Sequence, residues 1–238
     1  MRIDVMGVPF DNVTMEEALD RGMALMDAPG AACVVTPNAE IVYEAMRDPE
    51  LTELLGRAEL VLPDGAGVVL GAKILGTPLK QKVAGIEFGS GIMQRLSEQG
   101  RSVYLLGGKP GVAEQAAEKL QKQYPGLRVA GTHDGYFQEE GPVAADINEK
   151  HPDLLLVCLG APKQERFMDE HRDLKVGLMA GLGGSLDGYA GNVRRAPRWM
   201  INMNLEWFYR LLKEPRRIGR MMRLPRFLGR VAMKRIKG

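Results

Sequence analysis

Leu154-Leu155-Leu156-Val157-Cys158-Leu159-Gly160-Ala161-Pro162-Lys163-Gln164-Glu165 carries six apolar residues into a Gly-Ala-Pro turn and on into a polar segment with helical spacing. The apolar run is continuous rather than alternating, the pattern of a parallel strand covered on both faces. Proline suits a helix start, because its missing N–H would have no intrahelical partner there. The unit is strand, turn, helix, and it recurs. Apolar runs at 32–35, 60–62, 103–106, 127–130 and 176–180 read as further strands. Helical patterns occupy 39–47, 65–75, 89–99, 110–123, 142–150 and 162–171, with Gly100 closing the third of these as a C-cap. Thr14-Met15-Glu16-Glu17 is a capping box that opens a helix reaching Asp27. Strand–helix repetition predicts an α/β fold, a parallel right-handed sheet with helices on both faces.

The 238 residues suffice for one large domain, and 45% apolar with 26% charged residues argues against disorder. No uncharged apolar run approaches the roughly 18 residues of a membrane span. The start alternates and carries Asp4, so no signal peptide is expected. Cys33 and Cys158, the two cysteines, each sit inside an apolar run and read as buried thiols in a reducing cytosol.

The net charge of +2 conceals an asymmetry. Residues 194–238 hold 14 Lys/Arg against Glu206 and Glu214, a net of +12, and the remainder is −10. This places a boundary near Asn192, between a body at 1–192 and a basic helical appendage at 193–238. A tail of this charge meets a polyanion, either nucleic acid or an anionic membrane surface. Trp199, Met203, Trp207 and Leu211 recur at helical spacing, as do Met200, Leu205, Phe208 and Leu212, so this part is expected to pack on the body. Beyond it Arg216, Arg217, Arg220, Arg223, Arg226 and Arg230 alternate with Met, Leu, Ile and Phe, which suits an anionic membrane interface. The body carries no recognisable nucleic-acid motif, so no nucleic-acid partner is expected.

Ligands of open α/β sheets bind beyond the carboxyl ends of the strands. There the sequence places Thr36-Pro37-Asn38, Pro63-Asp64-Gly65, Gly107-Gly108-Lys109, His133-Asp134-Gly135-Tyr136, Gly160-Ala161-Pro162-Lys163-Gln164-Glu165 and Gly183-Gly184-Ser185-Leu186-Asp187. Asp64 can be a general base for an acceptor hydroxyl or an ordinary N-cap; position alone weighs the two equally. Thr36 and Asn38 face the same choice, with capping favoured. The glycines at 107 and 108 can cradle phosphate with bare amides at a helix N-terminus, or merely turn the chain. His133, His151 and His171 are scattered, and neither H-E-x-x-H, G-x-S-x-G nor Asp-x-Asp occurs. No metal and no cofactor are expected.

The ordered set from Thr36-Pro37-Asn38-Ala39-Glu40 through Pro63-Asp64-Gly65, Gly107-Gly108, Gly135-Tyr136-Phe137, 159–165 and 183–187 to Arg195-Ala196-Pro197, 205–210 and Glu214-Pro215 resembles the WecG/TagA/CpsF glycosyltransferases. The resemblance runs to about Arg217. It implies a Rossmann-like body and transfer of a sugar from a UDP-sugar to a lipid-linked acceptor. In the wall teichoic acid branch N-acetylmannosamine passes to undecaprenyl-diphospho-N-acetylglucosamine; other branches use N-acetylmannosaminuronic acid or glucose. It assigns Asp64 as general base and Thr36, Asn38, Gly107, Gly108, Tyr136, Gln164, Glu165 and Asp187 to substrate. Arg210, Arg216, Arg217, Arg220 and Arg223 would meet the lipid diphosphate or the membrane. The enzyme would sit peripherally on the cytoplasmic face of the plasma membrane, and a homo-oligomer is left open. Lys82-Val83-Ala84-Gly85-Ile86-Glu87 departs from the Arg-Val-x-Gly-x-Asp of relatives; charge is kept, but lysine lacks the bidentate fork of arginine. The rival class is a non-catalytic nucleotide-binding module with an RNA- or protein-docking tail.

Overall fold

A computed structural model describes residues 1–193, 196–197, 199–200, 203, 206–213, 219 and 222–237. Six parallel strands form one sheet: β3 (Ala32–Val35), β4 (Leu60–Val61), β5 (Ser102–Gly107), β6 (Arg128–His133), β7 (Leu154–Cys158) and β8 (Leu178–Gly181), in the spatial order β4-β3-β8-β7-β5-β6. The continuous apolar runs have the expected cause. Every residue of β3, β4, β5, β7 and β8 is buried, while β6 at the open edge is only half-covered. Along each strand alternate residues feed opposite layers. Cys33, Val35, Tyr104, Leu106, Leu155, Val157 and Met179 enter one core, and Ala32, Val34, Val103, Leu105, Leu154, Leu156 and Ala180 the other.

The first core is covered by α2 (Ala39–Ala45), α3 (Pro49–Arg57), α4 (Ala66–Leu75), α7 (Glu140–Lys150) and α8 (Lys163–Glu170). The second is covered by α1 (Met15–Met26), α5 (Gly85–Glu98), α6 (Val112–Gln123) and α9 (Ser185–Tyr189). The α1 capping box forms as its sequence implies, with Thr14 Oγ1 accepting from the Glu17 amide and a Glu17 carboxylate oxygen from the Thr14 amide. Helix α5 begins four residues before the expected Gly89. Helix α3 is additional, although Asp48 as N-cap and Pro49 at the first position are legible start signals.

The alternating start is an antiparallel hairpin, β1 (Arg2–Val5) and β2 (Val8–Asp11), turned at Met6-Gly7. Its last residue, Asp11, is buried and accepts from the backbone N–H of Val61 at 2.9 Å while pairing with Arg2 and Arg21. A side chain thereby occupies the edge of β4, where the sheet would otherwise present an unpaired N–H. The hairpin anchors the strand that delivers Asp64.

The tail divides differently from the expectation. Trp199 and Met203, expected to pack, are 59% and 63% exposed, although Met200 is buried. The last helix, α11 (Arg223–Lys237), lies against α2 and α4 and buries Phe227 and Val231 in the first core. Helix α10 (Glu206–Lys213) precedes it. Gly67 and Gly71 on α4 permit the approach of α11: a Cβ there would stand 2.5 Å from Leu224 Cδ1 and 2.9 Å from Phe227 Cζ. Burying two such side chains contributes about 3–6 kcal/mol in total.

Candidate active site

Because the six strands are parallel, their carboxyl ends gather at one edge of the sheet. Thr36 follows β3 and is buried; its Oγ1 donates to the Gly181 carbonyl of neighbouring β8 at 2.8 Å. Asn38 is the N-cap of α2, its side-chain oxygen accepting from the amides of Glu40 and Ile41 at 2.9 and 3.1 Å. Capping, the favoured reading for Asn38, is therefore observed. For Asp64 the geometry differs. The N-cap of α4 is Gly65, with φ of 85°, a residue with no side chain to cap the helix. Asp64, half-buried, stands one residue ahead of the cap. A left-handed φ at this position favours glycine. Gly65 also passes close to Asn38, since a Cβ on it would lie 3.7 Å from Asn38 Cβ.

The chain before α5 closes over this corner. The Val83 amide donates to the Pro63 carbonyl at 2.9 Å, and Gly85 passes Thr36 so closely that a Cβ would stand 3.1 Å from Oγ1. Val83 thus ties this segment to the residue before Asp64, and Gly85 brings it against Thr36. The hydrogen bond from Val83 to Pro63 is tertiary and carries no local signature in the sequence.

On the other side of the edge the backbone dominates. Gly107, with φ of 130°, ends β5, and any Cβ on it would collide with the Cys158 carbonyl. Gly108 donates to that carbonyl at 3.3 Å and accepts from the Gly135 amide at 2.9 Å, which joins the β5 and β6 turns. Tyr136 is exposed, its amide held by Asp134 Oδ1 at 2.7 Å. Lys163 opens α8, reaches the Gly135 carbonyl at 3.3 Å, and lies 4.3 Å over the Phe137 ring. It places a cation beside the glycine turns, a role that a lysine at a helix start does not signal in the sequence.

Gln164 and Glu165 are 2% and 1% exposed and point into the protein. Gln164 Oε1 accepts from the Gly183 amide at 2.9 Å, and its Nε2 donates to Glu165 Oε1 at 2.9 Å. Asp187 sits in α9, and its carbonyl accepts from the amides of Asn192 and Val193. Cys158 lies beneath the edge, its thiol pushed up to about 12 by burial, so it stays protonated. Arg223, at the head of α11, pairs with Glu44 at 2.8 Å and Glu40 at 3.4 Å. Arg216, Arg217 and Arg220 lie outside the described residues, as does the side chain of Arg210. Among the described residues no three His, Cys, Asp or Glu side chains converge as a metal site would require, and no helix is long and apolar enough to cross a membrane.

Residues 3–238 match the family model described as Glycosyl transferase WecG/TagA/CpsF family. The chain is 38% identical over 204 residues to the N-acetylglucosaminyldiphosphoundecaprenol N-acetyl-beta-D-mannosaminyltransferase of Bacillus spizizenii, covering 85% of this chain and 79% of that protein. It is 35% identical to the protein of the same name from Bacillus subtilis, over 92% of this chain and 87% of the relative. The protein of that name from Staphylococcus aureus strain MW2 is 34% identical, over 97% and 92%.

Proposed function

Because the chain belongs to the WecG/TagA/CpsF glycosyl transferase family, we propose that it moves N-acetylmannosamine from UDP-N-acetylmannosamine to undecaprenyl-diphospho-N-acetylglucosamine, a hexosyl transfer of teichoic acid synthesis. The observation that carries the catalytic part of this reading is the place of Asp64, at the carboxyl edge and one residue ahead of a helix that glycine starts. The acceptor hydroxyl attacks the anomeric carbon, Asp64 takes its proton, and the bond to UDP breaks with inversion. General-base help of this kind contributes roughly 10²–10⁴ in rate.

The diphosphate that leaves carries the developing charge. The Lys163 ammonium, beside the Gly107-Gly108 turn, stands on the side of the edge where that charge can be met. This cation supports a metal-independent transfer. A polyprenyl acceptor stays in the bilayer, so the enzyme works as a peripheral protein on the cytoplasmic face. The +12 appendage and the exposed Trp199, Met203, Phe208 and Leu212 support that attachment.

The test is a panel of UDP-sugars incubated with undecaprenyl-diphospho-N-acetylglucosamine or a short-chain analogue, with and without EDTA, products read by mass. The N-acetylmannosamine adduct is expected, at the same rate in EDTA. Transfer of N-acetylmannosaminuronic acid or glucose instead would replace the donor assignment. Loss in EDTA with rescue by magnesium would refute the metal-free mechanism.

A further inference from the structure

Glu165 is among the most enclosed carboxyl groups in the protein, and one of its two oxygens, Oε2, has no hydrogen-bond partner among the described residues. On α8, it lines a small cavity against β3 and α3 together with Cys33, Val35, Leu54, Met168, Asp169 and Arg172. An unpartnered carboxyl oxygen is costly in such surroundings. What the other oxygen does is specific. Gln164 Oε1 must face the Gly183 amide, which donates to it at 2.9 Å, so Gln164 Nε2 is turned inward and requires an acceptor. Glu165 Oε1 supplies it at 2.9 Å. Gly183 in turn begins the turn beyond β8, whose Gly181 carbonyl receives Thr36 Oγ1. A chain of hydrogen bonds and backbone thus runs from a buried carboxyl to the corner that holds Thr36.

We propose that Glu165 is a positioning residue for the transfer reaction: it fixes the orientation of the Gln164 amide, and through it the Gly183-Gly184 turn beside Thr36, without touching substrate. Its surroundings favour the neutral acid over the carboxylate. Burial raises its pKa, and the Glu44 carboxylate of α2 adds to the rise, against the opposing effect of the Gln164 hydrogen bond. The facing groups do not reverse this. The Cys33 thiol of β3 is pushed up to about 12 by burial and is uncharged. Asp169 of α8 is held ionised by Arg57 of α3, and Arg172 pairs with Glu59 and Asp169. Since the folded protein holds this proton more tightly than the unfolded chain does, the stability it supports is complete below the ordinary glutamate range. That stability is lost as pH rises through the folded value.

This inference rests on the transferase reading, so its test has a part that needs no turnover. Exchange of the Gly183 amide is followed by NMR in the full-length protein, in Glu165→Gln and in Glu165→Leu. The glutamine variant, which copies a neutral acid, is expected to keep slow exchange and near-normal UDP release. The leucine variant is expected to exchange faster at Gly183 and lose about 10- to 100-fold in kcat, as a misplaced site does. Raising the pH should slow the wild type more than Glu165→Gln. The proposal is overturned if Glu165→Leu protects Gly183 as wild type does, or if Glu165→Gln exchanges at Gly183 as fast as the leucine variant. Should the leucine variant not fold, exchange at Gly183 and the pH comparison in Glu165→Gln still decide it. A wild type that releases no UDP sinks the transferase reading, while Gly183 exchange continues to report on Glu165.

Discussion

Asn38 and Asp64 occupy equivalent places in two successive strand–helix units, and the two helices start differently. Asn38 follows β3 and binds two amides of its own helix. Asp64 follows β4 and leaves the start of its helix to Gly65. Both are good capping residues, both precede a helix by one or two positions, and their sequence surroundings are similar. The difference is a backbone torsion. At Gly65 the chain adopts a left-handed φ, which puts the cap one residue later and leaves the carboxylate ahead of the helix. A cap is a local arrangement, and at α4 it falls to a glycine rather than to the carboxylate before it.

Helix α11 packs against both α2 and α4, so it supports both helix starts and gives the largest stability effect expected here. Phe227→Ala, which opens a cavity against Gly71, is expected to cost about 3–5 kcal/mol in thermal or denaturant unfolding. If it costs less than one, α11 does not belong to the core and the two helix starts stand without it. Asn38→Ala should cost about 1 kcal/mol of stability, the ordinary worth of a cap. A change in turnover as large as that of an Asp64 variant, with stability untouched, would erase the contrast between the two residues. Arg223→Gln removes a partly exposed pair from α2 and should change stability by about 0.2–1 kcal/mol, read in the same melts. A larger loss would mean that Glu40 and Glu44 depend on Arg223 to hold α2 in place.

The strands of the sheet were legible because burial on both faces writes itself as uninterrupted apolar residues, as in Leu154–Cys158. The Thr14 capping box was legible because both of its partners lie within four residues. The β1–β2 hairpin was visible only as alternation, since its four-residue strands include Pro9 and its turn begins with Met6. The tail was legible only in part, for a physical reason. An arginine-rich amphipathic helix reads alike whether its apolar face meets lipid or protein, and only the small residues Gly67 and Gly71 on α4 mark the groove that receives Phe227. At the site, the strand ends announced Asp64, Thr36 and the glycine turns. The inward turn of Glu165 was hidden, because a polar Lys-Gln-Glu run at the carboxyl edge of a strand reads as facing substrate.

Asp64→Asn keeps the shape of the side chain and removes its basicity, and Gly65 continues to start α4. Turnover of a soluble acceptor analogue, measured beside UDP affinity and the melting curve, therefore tests the account most directly. A fall in kcat of about 10²–10⁴ is expected, with UDP binding and melting as in wild type. Turnover within a fewfold of wild type would contradict the assignment of Asp64 as the base.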